Sequence, residues 1–149
     1  MRAVIQRVHE AWVDIEGQRV AHIGAGALVL LGVEQGDTEK QCLFLSDKIL
    51  NLRIFDDEQG KMNLSLLDTR GDLLVVSQFT LLGNCRKGRR PSYASAAPSE
   101  EANRLYELFV SECGKSGLRI ATGVFKAHMD VGLINSGPVT LIVDTPEQS

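Results

Sequence analysis

The sequence predicts a mixed α/β fold of three layers, in which two stacked sheets are covered on one face by two long helices. Apolar residues recur in many short alternating or continuous segments, which is the pattern of strands. Two segments alone show the longer apolar period of an amphipathic helix. These strands outnumber the helices too heavily for a doubly wound parallel sheet. The 149 residues are expected to form one domain spanning 1–149.

The N-terminal part is expected to be all strand. Segments 1–8 and 11–16 alternate, or nearly alternate, apolar and polar residues. Gly17-Gln18 is a plausible turn, and 19–23 returns as a third short strand. Segment 27–33 is continuously apolar, which indicates a buried strand.

The first helix is predicted over 39–52. Thr38 and Gln41 have the spacing of a capping box, which satisfies free N–H groups at a helix start. The apolar positions that follow share one helical face: Cys42, Leu45, Ile49 and Leu52. A short strand at 53–55 and an acidic loop at 56–60 follow, and the acids lack the alternating spacing of a calcium loop.

The second half is expected to hold a central strand, a long connection and the second helix. Segment 73–80 is the strand, and 82–98 is a connection rich in glycine and basic residues. The helix is predicted to begin with Ser99 as N-cap and to end at Gly114 or Gly117. Its buried stripe is Ala102, Leu105, Tyr106, Leu108, Phe109 and Cys113.

The C-terminal part is expected to return to strands. The predicted strands are 118–122, 129–134 and 139–143, with a flexible tail at 145–149.

Composition favours a cytoplasmic protein that does not associate with membranes. No apolar run reaches the roughly 20 residues that span a bilayer, and the N-terminus lacks the apolar core of a signal peptide. Three cysteines without a CxxC pair argue against a disulfide framework. Cys42 and Cys113 lie on predicted apolar helix faces, whereas Cys85 lies in a polar loop and is expected to be exposed.

Two segments suggest function. Ser77-Gln78-Phe79-Thr80-Leu81 ends a strongly apolar run, and polar side chains at the end of a buried strand need partners or a ligand. Asn135-Ser136-Gly137-Pro138-Val139-Thr140 lies between two apolar runs. Taken alone, its Gly-Pro pair is best interpreted as a hairpin turn.

Together the two segments resemble the D-aminoacyl-tRNA deacylase family, whose signatures SQFTL and NxGPVT both stand here unbroken. The resemblance extends from Met1 to about Val143. Further matching segments are 1–8, 31–34, 53–55, 61–64, 88–93 and Thr122-Gly123 with Phe125. It implies the same three-layer fold, a homodimer, and hydrolysis of D-aminoacyl-tRNA, whose 3′-terminal adenosine and acceptor stem the enzyme would bind.

The resemblance places catalysis at Ser77, Gln78, Phe79 and Thr80. Backbone N–H groups around Phe79 and Thr80 would stabilise the oxyanion, and the 2′-hydroxyl of the substrate's terminal ribose would assist. Thr80 is either a nucleophile or a positioning group. We favour positioning, because none of the three histidines has a sequence context that indicates a general base.

The resemblance also implies how chirality is read. The Gly137-Pro138 peptide would be cis and would enter the active site of the other subunit, where its carbonyl oxygens would collide with an L side chain. A filter of this kind would also pass glycine, including glycine mischarged on tRNA(Ala). Arg7 matches a residue that holds this loop, and Met129 matches a position that lines the substrate pocket.

Arg86, Lys87, Arg89 and Arg90 form a basic cluster shortly after the SQFTL segment. A solvated loop explains such a cluster taken alone, but its closeness to the proposed active site favours contact with RNA phosphates. Two features depart from the family. Lys126 stands where the family often has a small residue, and Arg89-Arg90 doubles a basic position.

Other chemistries have less support. The GxSxG motif of serine hydrolases is absent, and no His, Asp or Glu cluster has metal-ligand spacing, so no metal or cofactor is predicted. Two alternatives remain open. One is a non-catalytic module that binds tRNA or protein on the same fold, and the other is a small-molecule esterase that uses Ser77.

Overall fold

The computed structural model describes residues 1–147. Its elements are β1 (Arg2–Ile15), β2 (Gln18–Ile23), β3 (Gly26–Gly32), α1 (Glu39–Asn51), β4 (Phe55–Asp56), β5 (Met62–Leu64), α2 (Leu66–Thr69), β6 (Asp72–Ser77), a 3₁₀ turn (Phe79–Leu82), α3 (Ser99–Gly114), β7 (Ile120–Thr122) and β8 (Asp130–Asp144). The predicted fold class is confirmed: strands dominate, and two long helices accompany them.

Strand β1 organises the six-stranded main sheet. The two strands predicted at 1–8 and 11–16 are one continuous strand of 14 residues. One edge of β1 pairs along its length with β8, while the other edge pairs first with β3 and then with β2. Strands β6 and β7 extend the sheet beyond β3 in parallel register, and β4 pairs with β5 in a separate small sheet.

Two apolar cores lie on opposite faces of this sheet. Val29 and Val75 face a core that is shared with α1 and α3. The alternate residues Leu28 and Leu74 face a second core, which also contains Val13 from the far half of β1. The sheet therefore folds over itself, and the two stacked layers are hydrogen-bonded to each other through β1. Burial of each of these large side chains stabilises the fold by roughly 1.5–3 kcal/mol.

The long helices largely follow their sequence signals. Thr38 and Gln41 form the predicted capping box at the start of α1, which ends at Asn51. Helix α3 corrects one prediction: Ser99 is its first residue, and Pro98 occupies the N-cap position without a side-chain hydrogen bond. Pro98 has no side-chain acceptor, and its fixed φ suits a helix start.

The cysteines lie as predicted. Cys42 and Cys113 are buried and Cys85 is exposed, and none of the three forms a disulfide. Burial raises the pKa of the Cys42 and Cys113 thiols to about 12, so both remain protonated core residues.

The Gly-Pro segment corrects another prediction, because it is not a hairpin turn. Strand β8 passes through it as one element of 15 residues. Its register against β1 jumps: Gln6 faces Thr140, and Val8 faces Asn135. Residues 136–139 therefore form a bulge opposite Arg7. A hairpin turn would instead have reversed the chain direction and divided β8 into two strands.

The chain ends meet beside β1. Thr145, in the predicted tail, donates its N–H to the Met1 carbonyl at 3.0 Å and accepts from the Met1 α-amino group at 2.9 Å. Positions 148–149 of that tail lie outside the described residues. Within 1–147, no helix is long and apolar enough to cross a membrane.

Candidate active site

A cavity of about 510 Å³ opens at the carboxyl end of β6. That volume lies within the range typical of small-molecule sites. Three parts of the chain form its walls: the segment after β6, the start of α3, and the connection from β7 to β8. Its lining residues are Val33, Val76, Ser77, Gln78, Phe79, Ala96, Ala97, Ser99, Ala102, Phe125, Lys126, Ala127, His128, Met129 and Val131.

The segment after β6 presents free backbone donors. The predicted strand 73–80 ends at Ser77, and the Gln78 N–H donates to the Leu31 carbonyl at 2.8 Å. Phe79–Leu82 then forms one 3₁₀ turn, in which the Leu81 N–H donates to Gln78 O at 3.2 Å. The first carbonyl of the turn belongs to Gln78 and is reached by the Leu81 N–H. The N–H groups of Phe79 and Thr80 come before Leu81 in the chain, so the turn provides no acceptor for them. Neither has a hydrogen-bond acceptor among residues 1–147.

Gly32 allows this turn to lie close to β3. A Cβ at position 32 would approach Leu82 Cδ2 to 2.5 Å and the Gln78 carbonyl oxygen to 3.1 Å. Leu82 is itself buried, so the turn cannot simply move outward without exposing it. The backbone donors of Phe79 and Thr80 are thus held in place by close contact with the sheet.

Among residues 1–147, the hydroxyls of Ser77 and Thr80 have no hydrogen-bond partner that could serve as a base. Gln78 Nε2 donates to Thr80 Oγ1. Ser77 has no side-chain hydrogen bond within the described part of the chain. His128 lines the cavity without bonding either hydroxyl, and His22 contacts Glu10 at 3.1 Å elsewhere in the fold. The geometry therefore offers oriented donors rather than an activated nucleophile.

Met129 forms part of the opposite wall. Its thioether accepts from the Val124 N–H at 3.4 Å and lies over Gly123, where a Cβ would approach Sδ to 2.6 Å. Phe125 stacks against Tyr106 with 6.2 Å between ring centroids. The Tyr106 hydroxyl donates to the Val75 carbonyl at 2.9 Å, and burial raises its pKa to about 12. Met129 and Phe125 thus give this wall an apolar part that is packed against residues behind it, beside the polar side chains of Lys126 and His128.

Sequence reasoning missed much of the cavity wall. Phe125 carried part of the family resemblance without being assigned to the site. Ala96, Ala97 and Ala102 gave no signal, because small residues near a helix start are also ordinary core residues. His128 was assessed only as a possible base.

The bulge at 136–139 is held firmly, and its Gly137-Pro138 peptide bond is cis. Arg7 donates from Nε to the Ser136 carbonyl at 2.9 Å and from Nη1 to the Ile54 carbonyl at 2.8 Å. The Asn135 side-chain amide donates to the backbone carbonyls of Arg7 and Val139, at 2.9 and 3.1 Å.

The bulge does not reach the cavity of its own chain. Ser136 and Arg7 line a different groove, together with Asp56 and Arg70. Along the sheet, Leu31 near the cavity pairs with Ala3, whereas Arg7 pairs with Ala27. Four residues of strand separate the two levels by ~13 Å. Of the predicted site residues, Ser77, Gln78, Phe79 and Met129 line one cavity, and Arg7, Gly137 and Pro138 lie elsewhere.

The basic cluster projects from a small closed loop. Asn84 and Ser92 pair through backbone bonds of 2.7 and 2.9 Å and close residues 85–91. All four cations are exposed, and none has an ion pair within 1–147: Arg86, Lys87, Arg89 and Arg90. Tyr93 then packs edge-on against Phe79, with 5.3 Å between ring centroids. The loop is therefore anchored beside the 3₁₀ turn that follows β6.

The geometry defines a class of protein: a small mixed α/β protein whose cavity is lined by Phe79, and in which the N–H groups of Phe79 and the adjacent Thr80 have no acceptor among residues 1–147. Such an arrangement suits an acyl-transfer enzyme. Comparison with known families identifies it further. The model of the family "D-Tyr-tRNA(Tyr) deacylase" matches residues 4–144. The chain belongs to this family, and it is a hydrolase of the D-aminoacyl-tRNA deacylase type.

Individual relatives agree. The D-aminoacyl-tRNA deacylase of Thermosipho africanus is 59% identical over 145 residues, covering 97% of both chains. That of Geotalea uraniireducens is 58% identical over 147 residues, covering 99% of this chain and 95% of the relative.

Solved structures share the fold. One titled "c-Myc DNA Unwinding Element Binding Protein" has a TM-score of 0.93 and 41% identity, and the match covers 99% of this chain and 100% of that one. A probable eukaryotic D-amino acid tRNA deacylase has a TM-score of 0.82 at 18% identity, over 97% and 98% of the two chains. The second match shows the fold alone.

Proposed function

We propose that this enzyme proofreads chirality in translation by hydrolysing the ester bond of D-aminoacyl-tRNA, and that it also removes glycine mischarged on tRNA(Ala). The observation that carries the proposal is a pair of N–H groups, at Phe79 and Thr80, that have no acceptor in the described part of the chain. They lie beside a cavity in which no described residue is hydrogen-bonded to the Ser77 or Thr80 hydroxyl as a base. An aminoacyl ester is already activated, so stabilisation of the oxyanion supplies most of what its hydrolysis needs.

The reaction follows from this geometry. The terminal adenosine occupies the cavity, and the ester carbonyl oxygen points to the Phe79 and Thr80 N–H groups. Water attacks the carbonyl carbon, and the oxyanion of the tetrahedral intermediate accepts both hydrogen bonds. Thr80 Oγ1, held by Gln78, positions the water or the substrate. The ester C–O bond then breaks, the ribose oxygen takes a proton with help from the neighbouring 2′-hydroxyl, and free amino acid and tRNA are released.

Selectivity requires a second copy of the chain. The Gly137-Pro138 bulge cannot act on its own cavity, because it lies beside a different groove. In a two-fold homodimer each copy can present its bulge to the cavity of the other. The carbonyl oxygens of Gly137 and Pro138 would then face the substrate α-carbon, where an L side chain collides and a D side chain points away. Arg7 and Asn135 keep the bulge rigid enough for that purpose.

Substrate binding adds RNA contacts. The exposed cations Arg86, Lys87, Arg89 and Arg90 lie beside Phe79, where the acceptor stem would leave the cavity. Unpaired cations on a surface loop are suited to phosphates. A substrate made during translation also supports a cytoplasmic location.

The proposal is tested with purified protein and D- and L-tyrosyl-tRNA in the presence of a chelator. We expect hydrolysis of the D substrate alone, by a species that sediments at about twice 16.3 kDa. A monomer that is fully active and still rejects the L substrate would exclude the shared-site account. Inertness toward both substrates would favour a binding module on this fold.

The remaining alternative, an esterase that uses Ser77, predicts covalent labelling by a serine-reactive phosphonate. It also predicts complete loss of activity in Ser77→Ala. We expect no label, because Ser77 has no base within hydrogen-bond distance among the described residues.

A further inference from the structure

We propose that Lys126 forms a phosphate-binding subsite at the mouth of the cavity, where it holds the phosphodiester that joins the terminal nucleoside to the rest of the RNA. This inference rests on the proposed function, because it assumes that the terminal nucleoside of an aminoacyl-tRNA fills the cavity. It concerns a residue that lines the cavity, which the basic cluster at 86–90 does not. Two observations support it, a backbone conformation and a charge without a partner among the described residues, together with the chemistry of the proposed substrate.

The backbone at Lys126 is unusual for a residue with a side chain. The Ala127 N–H donates to the Val124 carbonyl at 3.1 Å, which closes a four-residue turn. Lys126 is the third residue of that turn, with a φ of +67°. Turns with a positive φ at the third position normally carry glycine or asparagine there, because a Cβ is disfavoured in this region. A lysine at this position points to a role for its side chain.

Other non-glycine residues with positive φ do not share this location. Within residues 1–147 they are Glu16 and Arg70, with φ values of +50° and +58°. Neither lines the cavity, whereas Lys126 lines it together with Ser77, Gln78 and Phe79. The coincidence of a costly backbone and an active-site position is thus specific to Lys126.

The Lys126 ammonium has no protein partner among the described residues. By contrast, Lys115 pairs with Glu112 at 2.6 Å, and Arg2 pairs with Asp144 at 2.7 Å. Of the described residues that line the cavity, Lys126 is the only lysine or arginine, and none is an aspartate or glutamate. His128 is the other ionisable group on this wall. The mouth of the cavity therefore carries an uncompensated positive charge that is exposed and can meet an anion.

The chemistry of the substrate identifies the anion. In an aminoacyl-nucleotide the carboxyl group of the amino acid is esterified and neutral, and its α-amino group is a cation that Lys126 would repel. The nearest anionic group is the phosphate attached to the 5′ carbon of the terminal ribose. A compact ammonium on a flexible stem is a common phosphate ligand in proteins.

The test compares substrates that differ only in this phosphate: D-alanyl-adenosine, which lacks it, and D-alanyl-adenosine 5′-monophosphate, which carries it. We expect Lys126→Gln to raise KM for the phosphorylated substrate about fivefold, as suits an exposed charge pair, and to leave KM for D-alanyl-adenosine unchanged. kcat should stay the same on both, and Lys126→Arg should restore most of the affinity for the phosphorylated substrate. Lys48→Gln, which removes an exposed cation on α1, is the matched control and should change neither value.

Lys126→Gly separates the side chain from the fold. Glycine suits the positive φ, so this variant should unfold at the same or a higher temperature than the wild type while showing the same KM defect. Equal effects of Lys126→Gln on both substrates, or none on either, would overturn the proposal.

The subsite can be tested even if the wild-type enzyme cleaves neither substrate, which would refute the proposed function instead. Calorimetric titration with adenosine 5′-monophosphate and with adenosine measures the same interaction without catalysis. We expect Lys126→Gln to weaken binding of the monophosphate alone. Unchanged monophosphate binding in that variant would overturn the subsite independently of the reaction.

Discussion

The segment after β6 and the bulge in β8 both depart from regular strand structure, but they differ in whether their backbone polar groups have hydrogen-bond partners. In the first, the N–H groups of Phe79 and Thr80 have no acceptor among residues 1–147 and lie beside a cavity. In the second, Arg7 and Asn135 bind the carbonyls that frame the bulge. Unpaired donors are available to a reacting substrate, whereas a fully braced loop is suited to exclude a group by its shape.

Under the proposed function, the two regions also differ in whether they need a second copy of the chain. The segment after β6 lines a cavity that is formed within one chain, whereas the bulge lies about four strand residues away beside another groove. We infer that chemistry is encoded within the subunit and that selectivity arises between subunits. Variants that affect one region should therefore leave the function of the other largely intact.

The largest effect is expected from Gly32→Ala. The added Cβ would press on Leu82 and on the Gln78 carbonyl, at 2.5 and 3.1 Å, and would displace the turn that carries the donors. Displacements of about 1 Å in an active site can cost on the order of 10²-fold in rate. We expect kcat on D-alanyl-tRNA to fall by roughly that factor, with rejection of L-alanyl-tRNA preserved.

Gly24→Ala is the matched control for that variant. Its Cβ would lie 3.7 Å from Asp72 Oδ2, which is an ordinary contact, so activity should stay near the wild-type value. Similar rates for the two variants would show that the position of the 3₁₀ turn does not govern catalysis.

Arg7→Ala should affect the bulge at 136–139 and therefore the selectivity for D substrates. It removes charged hydrogen bonds to the Ser136 and Ile54 carbonyls, each worth about 1.5–3 kcal/mol. The loosened bulge should admit L substrates, so the ratio of D to L hydrolysis falls about tenfold or more while the rate on D-alanyl-tRNA changes little. Arg19→Ala removes an exposed arginine paired with Asp14 and should leave the ratio unchanged. Loss of the D activity together with unchanged selectivity would place Arg7 in the chemistry or the fold.

A smaller effect, on substrate binding alone, is expected from the basic loop. Replacing Arg86, Lys87, Arg89 and Arg90 by Gln should weaken tRNA binding. It should also reduce the slope of log affinity against log salt by about 0.7–0.9 for each phosphate that the variant no longer neutralises. Hydrolysis of D-alanyl-adenosine should stay nearly constant, because it has no acceptor stem. Equal decreases on both substrates would contradict the assigned role.

The smallest effect is expected at the Thr80 hydroxyl. If it only positions water or substrate, Thr80→Ser should keep much of the rate and Thr80→Ala should keep part of it. Mass spectrometry of the enzyme quenched during turnover should show no acyl group on Thr80. A trapped acyl-Thr80 adduct would restore a nucleophilic mechanism.

Local signals in the sequence predicted local structure well. Thr38 and Gln41 located the start of α1, because a capping box depends only on neighbouring residues. The prediction of a hairpin turn at Gly137-Pro138 was wrong because it also depended only on neighbouring residues. The neighbours of this pair indicate a turn, but β8 runs through it because β1 pairs with both of its arms.

The candidate site was only partly predictable. The SQFTL segment identified one wall of the cavity, because polar residues at the end of a buried strand are conspicuous. The opposite wall depends on how β7, β8 and α3 meet, and residues such as Ala96 and Ala102 carry no chemical signal. The separation of the bulge from the cavity is a property of the folded sheet, so sequence spacing alone could not show it.

The central claim is that the enzyme selects by excluding the L side chain and not by binding the D side chain. It is tested most directly by single-turnover rates on D-alanyl-, glycyl- and L-alanyl-tRNA that share one tRNA body. Attractive burial of one methyl group gives only roughly 1–3 kcal/mol of discrimination, so firm refusal of L-alanine requires a steric wall. We expect D-alanyl- and glycyl-tRNA to be cleaved at similar rates and L-alanyl-tRNA to be spared. If glycyl-tRNA is spared like L-alanyl-tRNA, exclusion is the wrong account of this enzyme.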